Sequence, residues 1–508
     1  MSRDRNQAVR DIVKGASVVS IGLFVELLIA FIAQVIAARY LSVTGFGSLI
    51  TGTAFLNVGA IVAGLGLGSG LTRYLPRVDE PSKRSIVEVT VGITALMSFA
   101  LGVVLALHAE FIGTVVFNDP SVVTSIAIFS AAIPFAALLN VSIGGIRGQQ
   151  NSRYRVYVKN ILQPSLRFVL LIVAIALGLD QTGIAGAYAL PYVASALIAL
   201  VLLYRTLPAA RGSFDRDLTI DMTRYSLPFT LSDLAGFVYR SIDVFLVLRF
   251  LGSAAVGTYG IAYAAVSFMG VFSTAFNYLA SPVASELEKN DTASVVIGTF
   301  RSITRWLVIA SACALIPLGV FASEFIAGIY GSEYVGGSTA LVILAIGFAI
   351  KNVLSVHGPI LEALGRSKEL SFNSVVAAVS NVLLNVALIP SFGIVGAAVA
   401  TVLAFLVRDG LAVWQVYRYL GTVPVTRESL GPALLAVPFL FLLALVADSV
   451  PISLFWLLSV TTVAALLYVS GVLVLFGLSE TEVMIVRSIE EKYGLDLGPV
   501  DPIIDRLS

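Results

Sequence analysis

Charge, cysteine and histidine are all scarce in this chain, and each scarcity excludes a class of function. Only 12% of the 508 residues are charged and 58% are hydrophobic, whereas soluble domains carry about 25% charge. With a mean hydropathy of +0.94, a soluble globular protein is excluded. The lone cysteine, Cys313, sits in an apolar run, which rules out a disulfide framework and a thiol metal site. Two histidines, His108 and His357, are too few for a histidine metal cluster. The chain holds no GxxxxGKS phosphate loop, no HExxH and no nucleophile elbow. No catalytic residue, metal or cofactor is therefore expected. The net charge of +1 says nothing about partners until it is sorted by side of a membrane, and no nucleic-acid partner is expected.

What the chain does have is long apolar runs. Taking runs of about 17 to 25 residues as spans, fourteen are expected, and the fold class is an all-α integral membrane protein. The basic start, SRDRNQAVRDIVKG, precedes a span longer than a signal-peptide core and lacks an A-x-A-like cleavage site. It reads as a retained first helix. Lys and Arg concentrate in alternate loops, among them Arg73, Arg77, Lys83, Arg84, Arg147, Arg153, Arg155 and Lys159. The intervening loops hold acids such as Glu110, Asp119, Asp180, Glu324, Glu333 and Asp448. Positive residues stay cytoplasmic, so both termini are expected in the cytoplasm of a cell-membrane protein.

The chain also repeats itself. ARYLSVTGFGSL at Ala38–Leu49 is echoed by LRFLGSAAVGTY at Leu248–Tyr259, with Arg39 on Arg249, Leu41 on Leu251 and Gly47 on Gly257. At the same offset GIAGAYA from Gly183 matches GIVGAAVA from Gly393. Spans 1 to 6 thus correspond to spans 7 to 12, and an even number of spans gives parallel repeats. The expected organisation is a cytoplasmic N-terminus at 1–15, a six-helix lobe at 16–204, a cytoplasmic loop at 205–224 and a second six-helix lobe at 225–416. Two extra helices at 430–476 and a cytoplasmic tail at 477–508, with an amphipathic helix over 480–493, complete the chain. A cleft between two such lobes is where a transporter holds its substrate.

The chemistry-bearing residues are the charges placed inside spans. A charge at the bilayer centre costs about 2.5 to 3.5 kcal/mol on insertion scales. Span 7, at 225–251, carries three: Asp233, Arg240 and Asp243. At about 100° per residue, Asp233 and Arg240 fall within roughly 20° of each other and Asp243 within roughly 60° of Arg240, giving one expected polar stripe. Lys351 lies mid-way along span 10, too deep for its stem to snorkel. Glu26 lies in span 1 as a partner for a base or a site for a coupling cation. Arg167 in span 5 is near enough to the cytoplasmic edge to snorkel, and is kept as a candidate ligand. Asn57, Asn140, Asn277, Asn381 and Asn385 are of a type that commonly cements helix contacts, and Asn57 is retained as a substrate candidate. Asp215 and Asp217 form a DxD of the kind glycosyltransferases use, in a loop without room for a catalytic domain.

The repeated phrase, the fourteen-span layout and the two lobes resemble the polysaccharide-type flippases of the multidrug/oligosaccharidyl-lipid/polysaccharide exporter superfamily. Ser42 stands where the phrase usually carries glycine, and Val256 where it carries an aromatic residue. The resemblance implies a transporter that moves a polyprenyl- or dolichyl-linked oligosaccharide from the cytoplasmic to the outer leaflet by alternating access. It implies no enzyme activity. Arg240 and Lys351 would take the phosphate, with Asp233, Asp243 and Glu26 holding these bases or meeting sugar hydroxyls. The implied partners are the lipid-linked glycan, membrane lipids, a coupling proton or sodium ion, and glycan polymerases or transferases alongside a monomeric transporter. The alternatives are a proton- or sodium-coupled drug exporter of the same superfamily and a membrane glycosyltransferase or polymerase. Three central acids against two bases do not separate them.

Overall fold

The computed structural model describes residues 25–209, 212, 215–274, 293–423, 425–447 and 454–477. The expected N-terminal segment at 1–15, the amphipathic helix at 480–493 and Asn277 lie outside the described residues. Every regular element among the described residues is helical. Ten helices there are long and apolar enough to cross a membrane, so the chain is an all-helical, multi-pass membrane protein. It divides into two compact units, Met1–Gly260 and Ile261–Ser508.

The first unit contains α1 (25–40), α2 (Val43–Gly64), α3 (Leu67–Tyr74), α4 (Glu80–Leu107), α5 (Val123–Gly148), α6 (Gln163–Ala176), α7 (Gln181–Thr206) and α8 (Arg216–Leu251). Helix α5 is its centre, packed against α2, α3, α4 and α7. It can be central because its faces are lined with small or apolar residues throughout, from Ser125 and Ala132 to Gly144 and Gly148. A Cβ on Gly144 would stand 2.2 Å from the Gly68 carbonyl oxygen, so α3 and α5 meet backbone to backbone. Between α2 and α3 the chain turns through Leu65 and Gly66, both left-handed. Gly66 is required there, because a Cβ would also lie 2.2 Å from the Ser226 carbonyl of α8. Helix α8, the expected span 7, packs on α2 and α3.

Helix α9 (Ser253–Ser267) begins in the first unit. The second unit continues through α10 (Ala293–Val320), α11 (Ser338–Leu354), α12 (His357–Ala363), α13 (Ser367–Leu420), α14 (Arg427–Ala447) and α15 (Leu454–Phe476). Helix α13 is two limbs hinged at Gly393, whose φ of 59° and ψ of −141° are non-helical. Reciprocal amide bonds tie the limbs together: Asn373 donates to Gln415 at 2.8 Å and Gln415 donates back at 2.9 Å. Helices α14 and α15 pack on α10 through Ile309, Ile316, Leu443 and Val472. There the buried Tyr468 hydroxyl donates to the Pro432 carbonyl, 2.8 Å away, in a helix that also carries Pro438.

Candidate functional site

The repeated phrases meet. In the first unit a Cβ on Gly47 would stand 1.8 Å from the Ser253 carbonyl oxygen, and one on Gly257 would stand 2.4 Å from the Val43 carbonyl. The starts of α2 and α9 therefore cross at the glycines the two phrases share. A polar cluster surrounds the crossing. The Asp119 carboxylate accepts the Ser253 backbone N–H at 2.7 Å, and the Ser121 backbone N–H and hydroxyl at 3.0 and 2.6 Å. The Ser121 and Ser253 hydroxyls lie 2.8 Å apart. Gln181 donates to the Ser48 hydroxyl at 2.9 Å and to the Ser121 carbonyl at 3.2 Å. Burial raises the Asp119 pKa, but the bonds from Ser121 and Ser253 outweigh it and leave the carboxyl below its ordinary value of 3.8. Asp119 thus acts as the N-cap of α9 from 134 residues away.

Among the charges expected inside spans, Asp233 and Arg240 share an exposed face of α8 and interact electrostatically. Asp243 departs from that stripe. It is 3% exposed and accepts the Tyr259 hydroxyl of α9 at 2.6 Å. The 60° offset from Arg240 is enough to carry it from the open face into the α8–α9 contact. Asn57 is exposed on α2.

A second cluster forms where α1, α6 and α7 converge. The residues before α6, Val156–Leu162, are wound as π turns, a distortion that often marks a functional position. From these turns the Asn160 amide donates to the Glu26 carboxylate, and Lys159 interacts with the same acid. Arg167 lies over the rings of Tyr188 and Tyr192, with its guanidinium carbon 5.2 and 6.0 Å from the two centroids. Its Nε is buried with no hydrogen-bond partner among the described residues. The Tyr188 hydroxyl donates to the Ala33 carbonyl of α1 at 3.3 Å, which links Arg167 to the helix that carries Glu26.

In the second unit Lys351 is half-buried on α11, with its ammonium 4.8 Å from the Phe348 centroid and 4.4 Å from that of Phe405. Sequence reasoning passed over its neighbours Arg408 and Asp409, although both are charges well inside span 12. It also passed over Asn160, Tyr188 and Tyr192, whose contribution depends on the π turns and the ring stacking. Asp215, from the DxD pair, is the N-cap of α8 and accepts the Leu218 N–H at 2.9 Å. Helix capping accounts for it.

Residues 12–288, more than half of the 508, match the family model described as polysaccharide biosynthesis protein. The chain belongs to this family. It is 34% identical over 188 residues to a probable low-salt glycan biosynthesis flippase of Haloferax volcanii, Agl15, across 37% of this chain and 40% of that one. It is 25% identical over 287 residues to the probable flippase AglR of the same organism, across 56% and 59%. It therefore spans less than two thirds of each of these two relatives. Among solved structures, this family member shares its fold with the lipid II flippase MurJ in an inward closed conformation, at a TM-score of 0.72, 14% identity, and coverage of 90% and 98%. An inward-facing multidrug transporter of the MATE family matches at a TM-score of 0.61 and 17% identity, across 77% and 94%.

Proposed function

We propose that this protein is a flippase that carries a lipid-linked oligosaccharide from the cytoplasmic to the outer leaflet by alternating access, with both termini cytoplasmic. The reading is supported chiefly by bases set well inside long helices of a polysaccharide biosynthesis family member. Arg240 is exposed on α8 and Lys351 half-buried on α11, and neither position suits a charge facing hydrocarbon. An arginine offers a phosphate two parallel hydrogen bonds, and a lysine a compact point charge. Asp233 would hold Arg240 while no substrate is bound. Arg167, Glu26 and Asn57 would meet the sugar or the second phosphate oxygen, and Asp243 would support the α8–α9 contact. Fourteen spans fit this scheme: the two limbs of α13 count separately, and α1, the charged α8 and the shorter α14 add to the longer apolar helices. The role is transport and not catalysis, with the lipid-linked glycan and bilayer lipids as partners.

The test is deletion of the gene followed by complementation. Loss of the protein is expected to leave a lipid-linked glycan in the inner leaflet. Arg240→Ala or Lys351→Ala, expressed and folded normally, is expected to slow its delivery by about tenfold or more, the worth of one charge-assisted hydrogen bond. Delivery at the wild-type rate by both variants would refute the assignment.

A further inference from the structure

Lys351 is enclosed on several sides. The Phe348 and Phe405 rings that flank its ammonium meet edge to face at 5.4 Å. Phe405 lies four residues, about one turn, before Asp409 on α13, so ring and carboxylate occupy one helix face. That limb packs against α11. Asp409 is 5% exposed. Its Oδ1 accepts from Arg408 at 3.3 Å, and its Oδ2 is buried with no hydrogen-bond partner among the described residues. The helices packed on α13 are α11 and α12, whose charged or titratable side chains are Lys351, His357 and Glu362. Among the described residues, the charges acting on Asp409 are Lys351 from α11 and Arg408 from its own helix.

A buried carboxylate oxygen without a donor costs free energy, and the Lys351 ammonium attracts this one from the facing helix. The Phe405 ring that touches the Lys351 ammonium and the carboxylate that attracts it lie on one face of α13. We propose that Asp409 is a positioning residue that serves as an internal competitor for Lys351. It holds the ammonium between the two rings when the transporter is empty, yields it to an incoming phosphoryl oxygen, and takes it back when the headgroup leaves. This rests on the assignment of Lys351 to the phosphoryl group. A carboxylate in this place lowers headgroup affinity and speeds release, because the bound state must first break the Lys351–Asp409 attraction. Arg408, which keeps its bond to Oδ1, anchors the carboxylate during the exchange.

The experiment uses the full-length protein in detergent with farnesyl phosphate, a short-chain polyprenyl phosphate, as the probe, and in liposomes for transport. Asp409→Asn keeps the shape and removes the competing charge. It is expected to tighten farnesyl phosphate binding by about tenfold, as one charge-assisted interaction warrants, while slowing turnover. Asp409→Glu is expected to restore both towards wild type. A merely structural role predicts lower turnover with unchanged or weaker binding, and that outcome overturns the proposal. If Asp409→Asn is recovered poorly, the double variant Lys351→Gln/Asp409→Asn decides. Recovery at the wild-type level upholds the pairing, and recovery no better than the single variant overturns it. Lys351→Ala binding the probe as well as wild type would instead refute the phosphate assignment itself.

Discussion

Removing the Asp119 carboxylate tests whether a single side chain secures the crossing of the repeated phrases. In Asp119→Ala, the Ser253 N–H at the start of α9 and the Ser121 N–H lose their acceptor. The Ser121 hydroxyl can turn to the Ser253 hydroxyl, already 2.8 Å away. Loss of an N-cap costs about 1 kcal/mol, and Ser253 is 2% exposed, so its orphaned N–H adds about 1 kcal/mol or more. Because Asp119 itself is half-exposed, screening holds the purely ionic part to a few tenths of a kcal/mol. The expected destabilisation is about 2 kcal/mol at pH 7, read from equilibrium unfolding in detergent. Asp119→Asn keeps an acceptor and should lose less than half of that. The sign with pH follows from the lowered native pKa. The contribution is complete above 3.8, the ordinary value, and disappears as pH falls through the native value below it. The stability difference between wild type and Asp119→Asn should therefore be constant from pH 5 to 7 and shrink under pH 4. An Asp119→Ala protein as stable as wild type at pH 7, or a difference that widens in acid, would refute the capping argument.

Cysteines at Ser121 and Ser253, in a Cys313→Ala background, should form a disulfide across hydroxyls now 2.8 Å apart. On the proposed alternating-access reading the crossing parts during transport, so oxidation should abolish transport and a reductant should restore it. Gly47→Val should cost about 1 to 3 kcal/mol in unfolding measurements, as overpacking does, since even its Cβ would stand 1.8 Å from the Ser253 carbonyl. The control is Gly92→Ala, where nothing lies within 4 Å; there the same assay should show a gain of about 0.5 to 1 kcal/mol from helix propensity. Arg167→Lys keeps a charge but loses the planar group stacked over Tyr188 and Tyr192. It should lower transport severalfold without changing unfolding by more than about 1 kcal/mol.

Much of the fold was legible in the sequence, because a bilayer leaves a chain few options. Apolar runs long enough to span must be helical to satisfy their own backbone, so the all-helical class followed from hydropathy. The phrase shared by Ala38–Leu49 and Leu248–Tyr259 was visible as an internal repeat. That the two copies touch, glycine to carbonyl, was not, since sequence offset carries no distance. Gly393 was matched to Gly183, yet its role as the hinge of α13 needed its backbone angles. Buried charge was equally easy to see and hard to place. Asp233, Arg240 and Asp243 read as one stripe, but rotation about the helix axis opens the first two and turns the third into α9.

The sequence by itself determined that this protein lives in a membrane and is helical, that the phrase at Ala38–Leu49 recurs at Leu248–Tyr259, and that Arg240 and Lys351 lie within long, largely apolar stretches. These follow from composition and period, which act locally along the chain. Only the tertiary structure decided the company itself: Asp119 for the start of α9, Tyr259 for Asp243, Asn160 for Glu26, and Asp409 with two phenylalanine rings for Lys351. Apart from Phe348, which lies one turn before Lys351 on the same helix, each of these partners comes from a different segment of the chain. Such a pairing depends on how neighbouring helices rotate and pack, and no local pattern encodes that.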